Sequence, residues 1–233
     1  MASFSFTWLG HATFLFKSPG GKRIVLDPWV TGNPSSPASA KKLGALDLML
    51  ITHGHGDHTG DAVSLARSSG AQVVAPYEVS VWLQNKGLQQ VIGMNPGGTL
   101  HAHGLAITMV PAVHSSSVED HGQIVYLGVA TGYVIRFENG LTVYFAGDTS
   151  VFGDMRLIGE MYQPAIGFLP IGDLYTMGPE QAAKACELLG LRQVVPMHYG
   201  TFPVLTGTPA KLRELVEPRG VQVLELKPGE TAS

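Results

Sequence analysis

The segment Thr52-His53-Gly54-His55-Gly56-Asp57-His58 places three imidazoles and one carboxylate within six residues. It directly follows Leu46 to Ile51, a run that is apolar except at Asp47 and is typical of a strand buried on both faces. Extended residues i and i+2 point to the same side, so His53 and His55 can aim their rings at one point. Because imidazole and carboxylate groups bind divalent metals, the segment predicts a metal site at the end of a buried strand.

Glycines separate the histidines of this segment. Gly54 and Gly56 allow the backbone to fold closely around the predicted metal. Asp57 and His58 then face a neighbouring point as the chain turns into a helix. The alternative interpretation is a histidine-rich surface turn or an expression scar, and the position between a buried strand and a helix disfavours it.

The composition is that of a folded protein with few charges. The chain has 233 residues, of which 45% are hydrophobic and 14% charged, and its formal net charge is −3. Disorder requires low hydrophobicity together with high net charge, so it is excluded. No run of Lys or Arg offers an electrostatic surface for nucleic acid or anionic lipid, and neither is expected as a partner.

Cysteine usage and the first residues bear on the cellular compartment. The single cysteine, Cys186, excludes a disulfide framework and a thiolate zinc site. Polar residues interrupt the segment from Met1 to Phe16, so we expect no signal peptide, and no apolar run reaches the ~18 residues of a membrane span. A cytoplasmic protein is therefore expected, with Cys186 buried on the apolar face of a helix.

The hydropathy pattern predicts an α/β (α+β) fold in one domain, residues 1–233. Predicted strands share alternating or continuous apolar residues and cover 4–8, 13–17, 23–26, 46–51, 72–75, 106–110, 130–137, 141–146, 194–197 and 221–226. Predicted helices share apolar residues at helical spacing and cover 61–69, 78–85, 155–162, 179–189 and 209–216. A loop rich in proline, glycine and serine is expected over 27–40.

The HxHxDH pattern of residues 53–58 resembles the signature of the metallo-β-lactamase superfamily. Four further residues follow predicted strands in the order that this family shows: Asp27, His114, Asp148 and His198. Shorter motifs are similar to those of the uncharacterised metal-dependent hydrolases, a branch close to the L-ascorbate-6-phosphate lactonase and N-acylphosphatidylethanolamine phospholipase groups. They include Gly147-Asp148-Thr149, Ile171-Gly172-Asp173 and His198-Tyr199-Gly200.

This resemblance implies a four-layer αββα sandwich with a centre for two divalent metal ions. The implied ligands are one trio for each metal and one bridging carboxylate: His53, His55 and His114; Asp57, His58 and His198; and Asp148. Zinc is expected first, and manganese, iron or nickel also suit this set of donors.

The implied activity is metal-dependent hydrolysis of a small ester, lactone or phosphodiester. Coordination lowers the pKa of water from about 15.7 to about 7, so a bridging hydroxide is available at neutral pH. One metal polarises the substrate oxygen and the other steadies the leaving oxygen. Asp57 and Asp148 are the expected catalytic residues, Asp148 as the bridging ligand and Asp57 also as a proton carrier.

Several residues are expected beside the ligands or the substrate. His11 follows Gly10 at a strand end, and its alternative role is that of a core histidine bonded to the backbone. Asp27 is expected to accept a hydrogen bond from a ligand imidazole rather than to bind metal. Trp29 and the loop 31–39 are candidates for a flap over the metals, with packing against the domain as the alternative for Trp29.

The later loops supply weaker candidates. Asp173 and Thr176 are expected to support the ligands, and helix capping by Thr176 is the alternative. Tyr199 either reaches the substrate or packs. Three histidines are expected to lie outside the site: His101, His103 and His121. Residues 119–121 are expected to form a solvated loop.

Other functions of the same scaffold are less favoured by the sequence. Weak β-lactamase activity is one alternative, because a strained amide is open to attack by hydroxide. A non-catalytic metal-binding member would have lost ligands, and all seven are present. A diiron redox protein would carry a carboxylate in place of a site histidine, and a nuclease would need a basic face. The low charge fraction leaves room for a homo-oligomer.

Overall fold

The first half of the chain alternates short strands with helices in a computed structural model that describes residues 3–233. Helix α2 (Ala62–Ser69) is followed by Gly70, whose φ of 75° is the left-handed conformation that glycine adopts without steric cost. The elements are β1 (Ser5–Trp8), β2 (Phe14–Lys17), β3 (Arg23–Leu26), β4 (Leu48–Leu50), α1 (Gly56–Thr59), α2 (Ala62–Ser69), β5 (Gln72–Pro76), α3 (Tyr77–Asn85) and β6 (Val91–Met94).

The second half begins with antiparallel strands and ends with strands separated by helices. Helix α5 (Pro179–Leu189) has Pro179 in its first turn and Gly190 just past its end, the arrangement that proline and glycine favour at helix termini. The elements are β7 (Thr99–Ala102), β8 (Leu105–Pro111), β9 (Ser117–Asp120), β10 (Gln123–Tyr126), β11 (Thr131–Arg136), β12 (Thr142–Phe145), α4 (Met155–Tyr162), β13 (Ile166–Pro170), α5 (Pro179–Leu189), β14 (Gln193–Met197), α6 (Pro209–Val216), β15 (Gln222–Val223) and β16 (Thr231–Ala232).

Two seven-stranded sheets contain all of these strands except β9 and β10. The first has the order β16-β1-β2-β3-β4-β5-β6, and the second has the order β15-β14-β13-β12-β11-β8-β7. Strands β3 to β6 are parallel to one another, as are β12 to β15, while the remaining pairs are antiparallel. Parallel neighbours need crossover connections, which most of the helices supply.

An aromatic core fills the space between the two sheets. Phe14 and Phe16 of β2 contact Phe168 of β13, with ring centroids 5.1 and 4.8 Å apart. Each fully buried Phe contributes about 1.5–3 kcal/mol relative to an exposed one. Leu15 points the opposite way and packs with the cluster beneath α2 and α3, because side chains alternate along a strand.

Helices cover the outer face of each sheet. Met49 of β4 packs with Leu65 of α2 and Leu83 of α3 on one side, and Cys186 of α5 and Leu212 of α6 join the cluster of the second sheet. The architecture is therefore the expected α/β arrangement of four layers, helix, sheet, sheet and helix. Cys186 is buried, as predicted.

The structure corrects the sequence prediction at several segments. Strand β13 was not among the predicted strands, although its five residues are all buried, and the predicted strand 221–226 is paired only at Gln222–Val223. Residues 119–121 were expected in a solvated loop. They instead belong to the β9–β10 hairpin, where the Asp120 carboxylate accepts hydrogen bonds from Trp82 (3.0 Å) and Lys86 (2.8 Å).

The helices that the structure describes are short. The longest, α5, has 11 residues, and none between residues 3 and 233 combines the length and hydropathy needed to cross a bilayer.

Candidate metal centre

The predicted ligands converge at one edge of the two sheets. His53 follows β4, Asp148 follows β12 and His198 follows β14. His114 comes three residues after β8, and Asp57 and His58 lie in α1. Carboxyl ends of neighbouring parallel strands meet at the same sheet edge, so residues remote in sequence become neighbours there.

A first group of nitrogen donors consists of His53, His55 and His114. One ligand atom from each lies within 4.8 Å of the others. His53 Nε2 is 3.1 Å from His55 Nδ1, and the remaining nitrogen of His55 lies 3.3 Å from the Ser115 hydroxyl. These three side chains can therefore bind one cation together.

A second group lies beside the first and consists of Asp57, His58, His198 and His11, again with ligand atoms within 4.8 Å of one another. Asp57 Oδ2 is 3.7 Å from His58 Nε2 and 3.7 Å from His198 Nε2. The donors of this group include a carboxylate, so it also suits a divalent cation.

Asp148 lies between the two groups. Its Oδ2 atom is 3.0 Å from His198 Nε2 and 3.3 Å from His58 Nε2 in the second group. The same atom is 3.6 Å from His114 Nε2 and 3.9 Å from His53 Nε2 in the first group. A single carboxylate is thus within reach of both candidate positions.

Buried polar atoms without partners test whether this set of residues suits a metal. Among residues 3–233, His58 Nε2, His198 Nδ1 and Asp148 Oδ1 are buried and make no hydrogen bond. An unsatisfied buried polar group costs about 1–3 kcal/mol, and a cation at this position would offset that cost for the atoms facing it. His58 Nε2 faces the carboxylates of both Asp57 and Asp148, so the residues present fit a divalent ion.

Asp27 and Thr52 orient two of the imidazoles from behind. Asp27 Oδ2 accepts hydrogen bonds from His58 Nδ1 (2.8 Å) and from the Thr52 hydroxyl (2.7 Å), and Oδ1 accepts one from the Thr52 backbone N–H (2.8 Å). The Thr52 hydroxyl donates its hydrogen bond to Asp27 and can only accept a second one, so His53 Nδ1 donates to that hydroxyl over 2.9 Å. Both histidines therefore direct their Nε2 atoms toward the metal positions, and a bound cation would take each ring in its neutral form.

The Asp27 carboxylate is itself a geometric candidate for a ligand. One of its oxygens lies within 4.8 Å of ligand atoms of His53 and His58. Both of its oxygens, however, already accept hydrogen bonds, three in all. Asp27 is therefore better placed to orient His58, and His53 through Thr52, than to bind a metal.

His11 is fully buried and bridges the second group to a loop. Its Nε2 donates to Asp57 Oδ2 over 2.9 Å, and its Nδ1 lies 2.9 Å from the Thr201 hydroxyl. Burial lowers the pKa of His11 to about 4. A neutral ring with its proton on Nε2 accepts a hydrogen bond at Nδ1, so Thr201 donates to it.

The charges of the centre reinforce one another in the metal-free chain. Burial alone raises the pKa of Asp148, but His198 and His58 hold it well below its usual range. Conversely, burial opposes the charged form of His198, while Asp148 and Asp57 raise its pKa to about 9. Burial lowers the pKa of His53, His55 and His114. Neutral imidazole is the form that binds a metal.

Aromatic side chains flank His11. The Trp29 ring lies 5.3 Å from the His11 ring, and the Phe202 ring lies 5.6 Å from it. Trp29 and Phe202 are 6.0 Å apart. Within the predicted flap, the backbone N–H groups of Val30 and Thr31 donate to Asp61 Oδ2, which ties the start of that loop to the chain beside α2.

The side chains of three expected residues make no hydrogen bond to a candidate ligand among residues 3–233. Tyr199 stacks on Trp8 with ring centroids 5.1 Å apart, so it packs. Asp173 is exposed, and its side chain makes no hydrogen bond to a candidate ligand within the described chain. Thr176 donates to the Met177 carbonyl at 3.3 Å, and the cap of α5 is Gly178 without a side-chain bond.

Sequence reasoning missed Thr52, Thr201 and Phe202. Thr52 directly precedes His53, and this position next to the first ligand could have indicated a residue that orients it. Thr201 and Phe202 follow His198 within four residues, but nothing in their spacing indicates that they turn back toward His11. His101 and His103 belong to β7 and the turn after it, and they take no part in the ligand groups found among residues 3–233.

Comparisons with known proteins show which family this chain is similar to. A model of the Beta-lactamase superfamily domain matches residues 22–199. The UPF0173 metal-dependent hydrolase of Koribacter versatilis is 53% identical over 227 residues, 97% of each chain. Another from Solibacter usitatus is 48% identical over 224 residues, 96% of this chain and 97% of the relative. The structure of Igni18, a metallo hydrolase of Ignicoccus hospitalis, is 41% identical with a TM-score of 0.88, covering 98% of this chain and 97% of the other.

Proposed function

Because this chain belongs to the β-lactamase superfamily and is a metal-dependent hydrolase, we propose that its centre holds two divalent cations. The proposed ligands are His53, His55 and His114 for one cation, Asp57, His58 and His198 for the other, and Asp148 for both. The observation that carries this assignment is the position of Asp148 Oδ2, 3.0 to 3.9 Å from imidazole nitrogens of both groups.

Two cations held there would polarise the substrate and would supply hydroxide at neutral pH, because coordination lowers the pKa of water to about 7. Asp27 and Thr52 keep the ligand imidazoles of His58 and His53 in the tautomer that binds metal. Asp57 is the proposed proton carrier, because its carboxylate faces the centre and accepts a hydrogen bond from His11. Zinc is the proposed metal, and manganese, iron or nickel would suit the same nitrogen and oxygen donors.

The proposed substrate is a small ester, lactone or phosphodiester. Hydrolysis adds one water across the bond, breaks the acyl C–O or P–O bond, and releases an acid and an alcohol. His55, Asp57 and His114 are only partly buried while the other ligands are buried, so a centre that solvent reaches on one side supports a small-molecule substrate. The single cysteine of the chain is free and buried, which supports a cytoplasmic protein.

Removing one ligand from each region of the centre tests this function. We expect His55→Ala and Asp148→Ala to lose metal and to lose hydrolysis together, because each removes a donor that no neighbour replaces. Metal content is measured by elemental analysis, and turnover on ester, lactone and phosphodiester substrates. The control is His121→Ala, whose side chain is 92% exposed. Full hydrolysis by either ligand variant would refute the assignment.

A further inference from the structure

Five exposed apolar side chains lie on the loops that adjoin the candidate metal centre. We call them the apolar rim, and their exposed fractions run from 36% to 64%: Val113, Leu174, Tyr175, Phe202 and Val204. Exposing apolar surface is unfavourable, and a concentration of it beside a reaction centre is typical of a ligand-binding surface.

Backbone hydrogen bonds join the loops that carry the rim. The Ser150 N–H donates to the Val113 carbonyl (3.1 Å), and the Met177 N–H donates to the Thr149 carbonyl (3.1 Å). The Gly207 N–H donates to the Gly172 carbonyl (3.3 Å). The loops after β8, β12, β13 and β14 therefore form one continuous surface, and three of them also contain His114, Asp148 or His198.

Phe202 connects this surface to the centre directly. Its ring lies 5.6 Å from that of His11 and 6.0 Å from that of Trp29, and His11 bonds the proposed ligand Asp57. An apolar group resting on Phe202 would thus stand beside the second metal position.

The charges of these loops indicate which substrates fit. Segments 111–117, 148–153, 171–178 and 198–207 contain no Lys or Arg, and their only acidic side chains are Asp148 and Asp173. Proteins recognise phosphate groups with the forked donors of Arg or the charge of Lys. Beside the two proposed cations, these loops thus offer apolar contact and no cationic side chain for a second phosphate oxygen, which favours an uncharged ester or lactone over a phosphodiester.

We propose that the apolar rim binds the hydrocarbon part of a neutral carboxylic ester or lactone while its carbonyl faces the metals. This inference rests on the proposed function and narrows its substrate class. It predicts selection for long acyl chains, because each CH2 buried on the rim strengthens binding by up to about fourfold.

A series of p-nitrophenyl esters that differ in acyl-chain length tests the predicted preference for long chains. We expect kcat/KM of the zinc-loaded protein to be at least about tenfold higher for the octanoate than for the acetate. Bis-p-nitrophenyl phosphate should be hydrolysed less well than either ester. Equal kcat/KM values for acetate and octanoate, or a preference for the phosphodiester, would overturn the proposal and leave the hydrolase function standing.

Substitutions in the apolar rim test whether it causes the preference for octanoate. Phe202→Ser and Tyr175→Ser should each lower the octanoate-to-acetate ratio by about threefold or more. The controls are Leu157→Ser and Met161→Ser, whose exposed apolar side chains (52% and 70%) belong to helix α4 and not to the rim loops. Unchanged ratios in both rim variants, or the same loss in the controls, would contradict the assignment.

Ligand binding provides a readout that does not depend on turnover. Octanohydroxamate and acetohydroxamate share a metal-binding head and differ only in the hydrocarbon chain. Calorimetry on the zinc-loaded protein should show at least about tenfold tighter binding of the octanoyl compound, and Phe202→Ser should reduce that difference. Equal affinities for the two hydroxamates would overturn the proposed role of the apolar rim, even if no ester were hydrolysed. Tighter binding of octanohydroxamate without hydrolysis of any ester would contradict only the proposed function.

Discussion

Three residues of the centre hold a backbone conformation that side chains other than glycine rarely adopt. The φ angles of His11, Asp27 and His198 are 55°, 45° and 55°. Such conformations cost about 1–3 kcal/mol each and persist where the surroundings stabilise them. Here the His198 N–H donates to the His11 carbonyl (3.0 Å), and the Thr13 hydroxyl donates to the Asp27 carbonyl (2.6 Å). The strain therefore lies next to the proposed ligands and is offset by local hydrogen bonds.

Thr52 provides a test of how the imidazoles are oriented. Thr52→Val removes the hydroxyl between Asp27 and His53, so His53 loses the acceptor that fixes its tautomer. We expect zinc affinity to fall by about 10–100-fold with the fold retained, measured by competition with a chromophoric chelator. The control is Thr99→Val, which breaks a threonine pair (2.8 Å) in β7 and β8. Unchanged zinc affinity in Thr52→Val would contradict this role.

His11 predicts a pH dependence of stability in the metal-free protein. Its pKa is about 4 when folded, against an ordinary value of 6.5, so the unfolded chain binds the proton first and acidification favours unfolding. His11→Asn removes that effect. Between about pH 7.5 and about pH 5, we expect the free energy of unfolding of the variant to gain about 2 kcal/mol relative to the parent protein.

Urea denaturation at the two pH values measures this difference. His121→Asn changes an exposed histidine and should follow the parent protein at both. Parallel curves for His11→Asn and the parent would show that His11 does not titrate as described.

At the scale of elements, the site depends on loops that pass close to one another at the sheet edge. Gly147 separates β12 from Asp148 and has a φ of 61°. A Cβ atom there would lie 2.8 Å from Thr52 Cβ and 2.9 Å from the Thr131 carbonyl oxygen. The loop that delivers Asp148 therefore fits against the loop that delivers His53 only with glycine at this position.

Gly147→Ala should both destabilise the fold and weaken metal binding. We expect a loss of about 2–4 kcal/mol in the free energy of unfolding, from the left-handed backbone and from the close contacts. Gly140→Ala is the matched control, because its φ is 86° but no atom lies within 4 Å of the added Cβ. It should lose only about 1–2 kcal/mol and keep its zinc affinity. Equal losses in the two variants would contradict the close approach.

At the scale of the whole molecule, the centre joins the two sheets. His53, His55 and His58 follow a strand of the first sheet, whereas His114, Asp148 and His198 follow strands of the second. A cation that binds donors from both sheets binds the folded chain and not the unfolded one. Metal binding should therefore contribute to global stability.

Chelation tests this linkage. With free zinc at about 100 times its Kd, we expect a gain of about 2.7 kcal/mol in the free energy of unfolding over the EDTA-treated protein. For a chain of this size that corresponds to a rise of about 5–10 °C in Tm, measured by calorimetry. Asp148→Ala should lose most of the rise. An identical Tm with and without zinc would contradict a centre that joins the sheets.

The sequence by itself predicted most of the strands and helices and the metal-binding segment 53–58, and its resemblance to the metallo-β-lactamase superfamily implied the four layers and the full set of ligands. Strand alternation, the apolar run before His53 and the histidine spacing are local properties, so they can be read without knowing long-range contacts. The structure confirmed the four-layer fold. The predicted ligands, from His53 to His198, lie close together in the structure, and their binding of metal stays a prediction.

Only the tertiary structure decided which other residues approach the ligands. It brought Thr52 between Asp27 and His53, and it turned Thr201 and Phe202 toward His11. It left Asp173 exposed and folded residues 119–121 into a hairpin. These outcomes depend on sheet register and on left-handed backbone at single residues, which arise from contacts between segments far apart in the chain and leave no periodic pattern in the sequence.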